Sequence, residues 1–212
     1  MVIIGAKGFA AEVYDILMQQ GVRGEVAFFD NVNADVPDYI YDERKVLRDF
    51  SEVSQYFGTV SNEFLLGVGY SSVRKMLYSR FTELGGIPKT LIANQAYIGK
   101  INTFIGNGVN IMAGATVSSN VVLMDGVLIN FGSNIAHDCI IGKFVEISPG
   151  VNIAGHCVIE EGATIGTGAS LIPKIRIGKG AVVAAGAVVT KSVPENVMVA
   201  GVPAVIKKKL AI

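Results

Sequence analysis

From Ile105 to Val189 an aliphatic residue returns at every sixth position, and all fifteen positions of that register are Val, Ile or Leu. Four residues after each stands a mostly small side chain, such as Ala115, Ser133, Cys139, Ala163 or Ala187. The residue directly after is often Gly, as at Gly106, Gly142, Gly166 and Gly178, which suits a tight corner. A period of six fits neither the 3.6-residue helix nor the two-residue strand. It fits a solenoid in which one hexad is a short strand plus a corner and three hexads close a triangular coil. Residues 18 apart then stack at the strand spacing of about 4.8 Å, and the register spans about five coils, roughly 24 Å tall. By this arithmetic Cys139 and Cys157 stack inside the prism as small apolar fillers.

A different pattern precedes the repeat. Val2 to Ile4, Glu25 to Phe29, Phe64 to Val68 and Lys89 to Ile92 read as strands. Phe9, Val13, Ile16 and Leu17 form a helical stripe, and a second helix is expected from Ser71, as its cap, to Leu84. Alternating strands and helices argue a small parallel α/β unit. The chain therefore reads as residues 1–93, a Rossmann-like unit, residues 94–194, a parallel β-helix, and a tail over 195–212.

Composition narrows the function. The 212 residues carry 18 basic and 18 acidic side chains, which argues against a nucleic-acid partner. The halves differ: the last 42 residues hold seven basic side chains against one acid, Glu195, so that end suits an anion. Two cysteines are no disulfide framework, and a reducing, cytoplasmic setting is expected. No apolar run is long enough for a membrane span.

Gly5-Ala6-Lys7-Gly8-Phe9-Ala10 is a degraded dinucleotide turn. Lys7 stands where a bare backbone would approach a pyrophosphate, so a dehydrogenase is disfavoured. A strand-to-helix turn can still hold a phosphate on free amides, and Asp30, at the end of the second strand, is placed to accept hydrogen bonds from a ribose or base. Of the two histidines, His137 leaves the coil near a corner, next to Asp138, and Gly155 stacks over it 18 residues on. Imidazole suits general-base work near neutral pH, and an adjacent carboxylate raises its basicity. A three-histidine zinc site needs one histidine more than the chain has, so no metal is expected.

The hexads, His137-Asp138 and the segment Val199-Ala200-Gly201-Val202-Pro203-Ala204 resemble the bacterial hexapeptide acyltransferases. The front segment Ile3-Ile4-Gly5-Ala6-Lys7-Gly8-Phe9-Ala10 narrows the resemblance to the sugar acetyltransferases that include nucleotide-4-amino-sugar N-acetyltransferases and sialic acid O-acetyltransferases. The resemblance implies a left-handed β-helix, a homotrimer with sites between subunits, and acetyl-CoA as co-substrate with no further cofactor.

It also implies roles. His137 deprotonates the acceptor, Asp138 makes it more basic, and Asn130 lines the cleft. Glu146, Thr167 and Ala185 match acetyl-CoA-binding positions, with Gly155 as candidate oxyanion donor; Thr167 and Ala185, 18 apart, stack. The nucleotide sugar falls to Lys7, Gly8, Phe9, Asp30, Asn31 and Gly69. The position of Glu146 is often His in the family, and that of Phe9 is His in amino-sugar enzymes but can be Phe in the sialic acid branch. The expected activity is N-acetylation of a nucleotide-linked 4-amino-6-deoxy sugar for bacterial glycans. O-acetylation of sialic acid or a related sugar is the alternative, and a β-helix scaffold or sugar-binding subunit without catalysis is a third.

Overall fold

Parallel strand pairing between residues 18 apart runs the length of the repeat. Asn134 lies opposite both Thr116 and Asn152, and Ile141 opposite Leu123 and Ile159. Each aliphatic residue of the register is the second residue of a two-residue strand, from Phe104–Ile105 to Val188–Val189. The strands form three parallel sheets, the faces of a left-handed β-helix. The register side chains fill its axis together with the small residues four further on, Cys139 and Cys157 among them. Burying an Ile or Val side chain fully contributes roughly 1.5–3 kcal/mol, and one such residue arrives with every hexad.

The computed structural model describes residues 1–22, 24–41 and 43–210. The chain divides into two units, the first ending at Leu91 and the second beginning at Ile92. This corrects the strand expected over Lys89 to Ile92. Ile87–Pro88 closes the front sheet, whereas Leu91–Ile92 belongs to a β-helix sheet. The repeat therefore starts two strands earlier than the six-residue register shows. Ile98 lies opposite Val117, 19 residues on, while Ile105 lies opposite Leu123, 18 on. One extra residue between Ile98 and Ile105 breaks the strict period and hides those two strands.

At the far end, Val197–Ala200 pairs with Val182–Val183, and Val205–Lys209 turns back antiparallel along it. Residues 195–210 thus extend the sheet with a final strand pair.

The front unit is built from β1 (Val2–Ile4), α1 (Phe9–Gln19), β2 (Ala27–Phe29), β3 (Tyr39–Ile40), β4 (Arg44–Leu47), α2 (Phe50–Thr59), β5 (Glu63–Leu66), α3 (Ser71–Glu83) and β6 (Ile87–Pro88). Sheet order is β3-β4-β2-β1-β5-β6, parallel except for the β3–β4 pair. α1 buries Ala10, Val13, Tyr14, Ile16 and Leu17; Val13, Ile16 and Leu17 come from the expected stripe, while its first member, Phe9, is only half-buried. α2 escaped the sequence reading, although Asp49 and Glu52 carry a capping signature. Asp49 accepts hydrogen bonds from the Ser51 and Glu52 amides, and Glu52 reaches back to the Arg48 amide. α3 starts after Tyr70 without a side-chain cap, so Ser71 is its first helical residue and not its cap. Phe29, Phe64 and Phe81 meet in the core, with rings 5.1–5.4 Å apart. Among the described residues, no helix is long and apolar enough to cross a membrane.

Candidate active site

His137 sits where the chain must turn. Ile135 and Cys139 point into the axis, so residues 136–138 make the corner, with Asp138 left-handed at φ 59°. The corner brings His137 Nδ1 within 2.6 Å of Asp138 Oδ2. That hydrogen bond, with help from Asn120 and the nearby His156, holds the Asp138 carboxyl below the usual carboxylate range. With Nδ1 donating to the carboxylate, Nε2 keeps the lone pair that can accept a proton.

Gly155 lies against the imidazole. A Cβ there would stand 2.8 Å from His137 Cε1 and 3.0 Å from Nε2, so only glycine leaves room for the ring. The Gly155 amide meets no acceptor among the described residues. It is a donor beside His137, as stacking arithmetic anticipated.

His156, which the sequence reading left aside, joins them. Its ring meets His137 edge-on at 5.2 Å, and its Nε2 lies 3.6 Å from Asp138 Oδ2. The signal was available, because 156 is one coil beyond 138. Donor atoms of His137, Asp138 and His156 all lie within 4.8 Å of one another, a grouping that could hold a metal ion. Asp138 would supply the third donor that two histidines lack. In the geometry seen, however, Nδ1 and Oδ2 are spent on each other, as in a base and its orienting carboxylate.

The other expected β-helix residues stand elsewhere on the prism. Thr167 and Ala185 stack on one corner: the Gly186 amide donates to the Thr167 carbonyl, and a Cβ on Gly166 would meet the Ala185 amide nitrogen at 2.6 Å. Asn130 begins the corresponding corner of an earlier coil, where its Oδ1 accepts from the Phe131 amide at 2.8 Å. Glu146 opens a strand on the adjoining face, between Leu128 and Thr164. None of these four shares the corner of His137.

In the front unit, Lys7, Gly8, Phe9, Asp30, Asn31 and Gly69 all line one cavity of about 530 Å³. It opens at the carboxyl ends of β1, β2 and β5, where the strand order reverses about β1 and an α/β sheet leaves a crevice. Gly5 and Gly67 let those ends approach: a Cβ on either would meet the backbone oxygen of the opposite strand at 2.7 Å. α1 begins at this cavity without a side-chain cap, and the amides of Lys7, Gly8 and Phe9 find no acceptor among the described residues. Such a terminus favours an anion.

Two side chains differ from expectation. Asp30 is buried and shapes its own loop, accepting from the Val32 and Asn33 amides and from Asn33 Nδ2. Three of roughly four acceptor positions are thus taken, so it is a poorer free acceptor than its strand-end place suggests. Lys7 Nζ holds both Asp35 oxygens at 2.7 Å. Arg74 was not anticipated at all: it is fully buried in α3, with Nη1 donating to the carbonyl of Gly69 at the cavity edge.

Comparison with known proteins agrees with both halves. Residues 1–81 match the family model described as the PglD N-terminal domain, and residues 156–191 match the bacterial transferase hexapeptide model. WeeI from Acinetobacter baumannii AYE is 31% identical over 97% of this chain and 98% of that chain, with a TM-score of 0.88. The chain belongs to the hexapeptide-repeat sugar acetyltransferases. The acetyltransferase domain of PglB from Neisseria gonorrhoeae FA1090, solved alone and with acetyl coenzyme A, is 30% identical, covering 97% and 98%, with TM-scores of 0.88 and 0.87. The perosamine N-acetyltransferase of Caulobacter crescentus, as a histidine-to-asparagine variant with CoA and GDP-perosamine, is 29% identical, covering 98% and 96%, with a TM-score of 0.90. No curated protein matches the chain significantly. In this hexapeptide-repeat sugar acetyltransferase the front cavity and the His137 corner are therefore the two places to look for chemistry.

Proposed function

We propose that the chain is an acetyl-CoA-dependent N-acetyltransferase acting on a nucleotide-linked 4-amino-6-deoxy sugar in bacterial glycan assembly. The observation that carries this reading is the His137–Asp138 pair at 2.6 Å, seated on Gly155. The acceptor class rests on the likeness to proteins solved with CoA and GDP-perosamine or with acetyl coenzyme A.

The front cavity supports a nucleotide sugar: the open amides at α1 and the Lys7 ammonium suit its phosphates, and the apolar wall suits a base or deoxy sugar. At the base, His137 Nε2 takes a proton from the sugar amine as nitrogen attacks the thioester carbonyl. The Gly155 amide steadies the oxyanion, a contribution of about 3 kcal/mol for one such donor. The C–S bond then breaks, the imidazolium returns its proton to the leaving thiolate, and the products are the amide and free coenzyme A. Both substrates are held together, so no covalent enzyme intermediate is needed.

Thr167 and Ala185 stack on a corner other than that of His137, which supports a donor column running along that edge. A homotrimer, in which the base of one subunit meets the donor column of its neighbour, accommodates this separation. Glu146 and Asn130 would face the donor side of such a cleft.

The test is coenzyme A release from acetyl-CoA in the presence of UDP-, dTDP- and GDP-linked 4-amino sugars and of sialic acid. Release with one amino sugar, reduced at least 100-fold in His137→Ala, is the expected result. Release with sialic acid alone would replace N- by O-acetylation, and silence without coenzyme A binding would remove the catalytic reading.

A further inference from the structure

The corner column that carries the base is built differently from the other two. One column is glycine throughout: Gly114, Gly132, Gly150, Gly168 and Gly186, all left-handed. A second holds Gly108, Gly126, Gly162 and Gly180, with Phe144 among them. The third holds Asn102, Asn120, Asp138, His156 and Lys174, one coil apart, with φ between 51° and 64°. Left-handed backbone favours glycine, and Asn, Asp and His tolerate it best among the rest. A column that keeps side chains where glycine would relax the backbone points to a use for those side chains.

Their hydrogen bonds are directed. Asn102 Nδ2 donates to Asn120 Oδ1 at 3.1 Å, and Asn120 Nδ2 donates to Asp138 Oδ1 at 3.1 Å. Asp138 Oδ2 is left for His137 Nδ1 at 2.6 Å. Because the Asn120 carbonyl already accepts from Asn102, its amide group must face Asp138 as a donor. The carboxylate is thereby held by one oxygen from below while the other meets the base. His156 competes for that second oxygen: its Nε2 lies 3.6 Å away, close enough to capture Oδ2 after a small rotation.

We propose that Asn120 is a positioning residue for the acetyl transfer. By holding Oδ1 it keeps Oδ2 on His137 and away from His156, which maintains the His137 tautomer with its proton on Nδ1. Asn102 sets the direction of the Asn120 amide. The assignment rests on the function proposed above, yet its central claim concerns a tautomer that can be read without turnover.

Two variants test it. Asn120→Gly keeps the left-handed corner and removes the donor; Asn120→Asp keeps the shape and sets a carboxylate against Asp138. In Asn120→Gly the expected result is a fall in kcat of about tenfold, the scale of one hydrogen bond to a charged group, with KM for acetyl-CoA and melting temperature close to wild type. Asn120→Asp is expected to fall further. Adding His156→Asn to Asn120→Gly removes the competitor and should restore part of the lost kcat, which a merely structural role for Asn120 would not produce. Nitrogen-15 NMR of histidine-labelled protein should show the His137 Nδ1–H tautomer in wild type and its loss or averaging in Asn120→Gly. An unchanged tautomer together with unchanged kcat would overturn the proposal. If wild type acetylated no sugar in the panel, the acceptor assignment would fall, while the NMR comparison would still decide the role of Asn120.

Discussion

The absent side chain of Gly155 is what seats the His137 ring, since a Cβ at that position would lie 2.8 Å from Cε1 and 3.0 Å from Nε2. Gly155 does not adopt the left-handed backbone that would demand glycine, so the requirement is one of space. Gly155→Ala should leave the coil folded and push the half-exposed imidazole out of line. Misplacing a catalytic group by about 1 Å costs roughly 100-fold in rate. Steady-state assays should show that loss in kcat, with a melting temperature near wild type; a kcat within twofold of wild type would remove Gly155 from the site.

Lys7 is predicted to discriminate binding from chemistry. It lies on the front cavity, with its ammonium shared by both Asp35 oxygens. Lys7→Met keeps the apolar stem and should raise KM for the nucleotide sugar by about tenfold, the scale of one charged hydrogen bond, with kcat nearly unchanged. Asp35→Asn frees the ammonium and should move KM the other way. Michaelis curves for both variants check the pair, and parallel shifts in KM would refute the competition between Asp35 and a phosphate.

Acid should weaken the front unit through the start of α2. The Ser51 hydroxyl and nearby amides hold the Asp49 carboxyl below its ordinary 3.8, and the Arg48 amide holds Glu52 below 4.5. A depressed carboxyl binds its proton more readily in the unfolded chain, so the unfolded state gains on acidification. The stabilisation is complete above those ordinary values and is lost as pH falls through them toward the lower folded values. Melting curves followed by circular dichroism from about pH 7 to about pH 3 should steepen in their decline over that window. Asp49→Asn keeps an acceptor at the cap but cannot titrate, so its decline should be shallower. Identical slopes would contradict the assignment.

Cys139 and Cys157 are free but wholly buried in the β-helix axis, where their thiols approach the carbonyls of Ala154 and Ile172 at 3.3 Å. A thiol reagent should therefore label neither in the native protein and both after denaturation. Prompt labelling of the native protein would show that the axis opens. The same burial keeps the protein's own thiols silent in an assay that counts released coenzyme A.

The β-helix was legible because its period is strict: once 18 residues make a coil, neighbours along a column follow by addition. That arithmetic placed Gly155 on His137 and Cys157 on Cys139. It also covers Asn120 and His156 beside Asp138, although a reading centred on His137 passed over both. It failed at Ile98, where one added residue broke the register. α2 was missed although Asp49 and Glu52 marked its start; it buries only Val53 and Tyr56, against five residues in α1. Among the residues of the front cavity, Asp30 and the turn at Lys7 and Gly8 were legible from their place at strand ends, and Phe9, Asn31 and Gly69 only through the family resemblance. The pairing of Lys7 with Asp35, the loop closed by Asp30 and the burial of Arg74 were not, since each depends on how segments far apart in sequence meet.

The sequence by itself determined the coil and the stacking partners along the strict register, and it singled out His137 as the candidate base, because a repeating backbone turns sequence distance into spatial distance. Only the tertiary structure decided which side-chain atoms face each other: that Asp138 turns one oxygen to His137 and the other to Asn120, and that His156 waits beside them. Those choices depend on rotamers, left-handed corners and the space left by a missing Cβ, which sequence spacing does not encode.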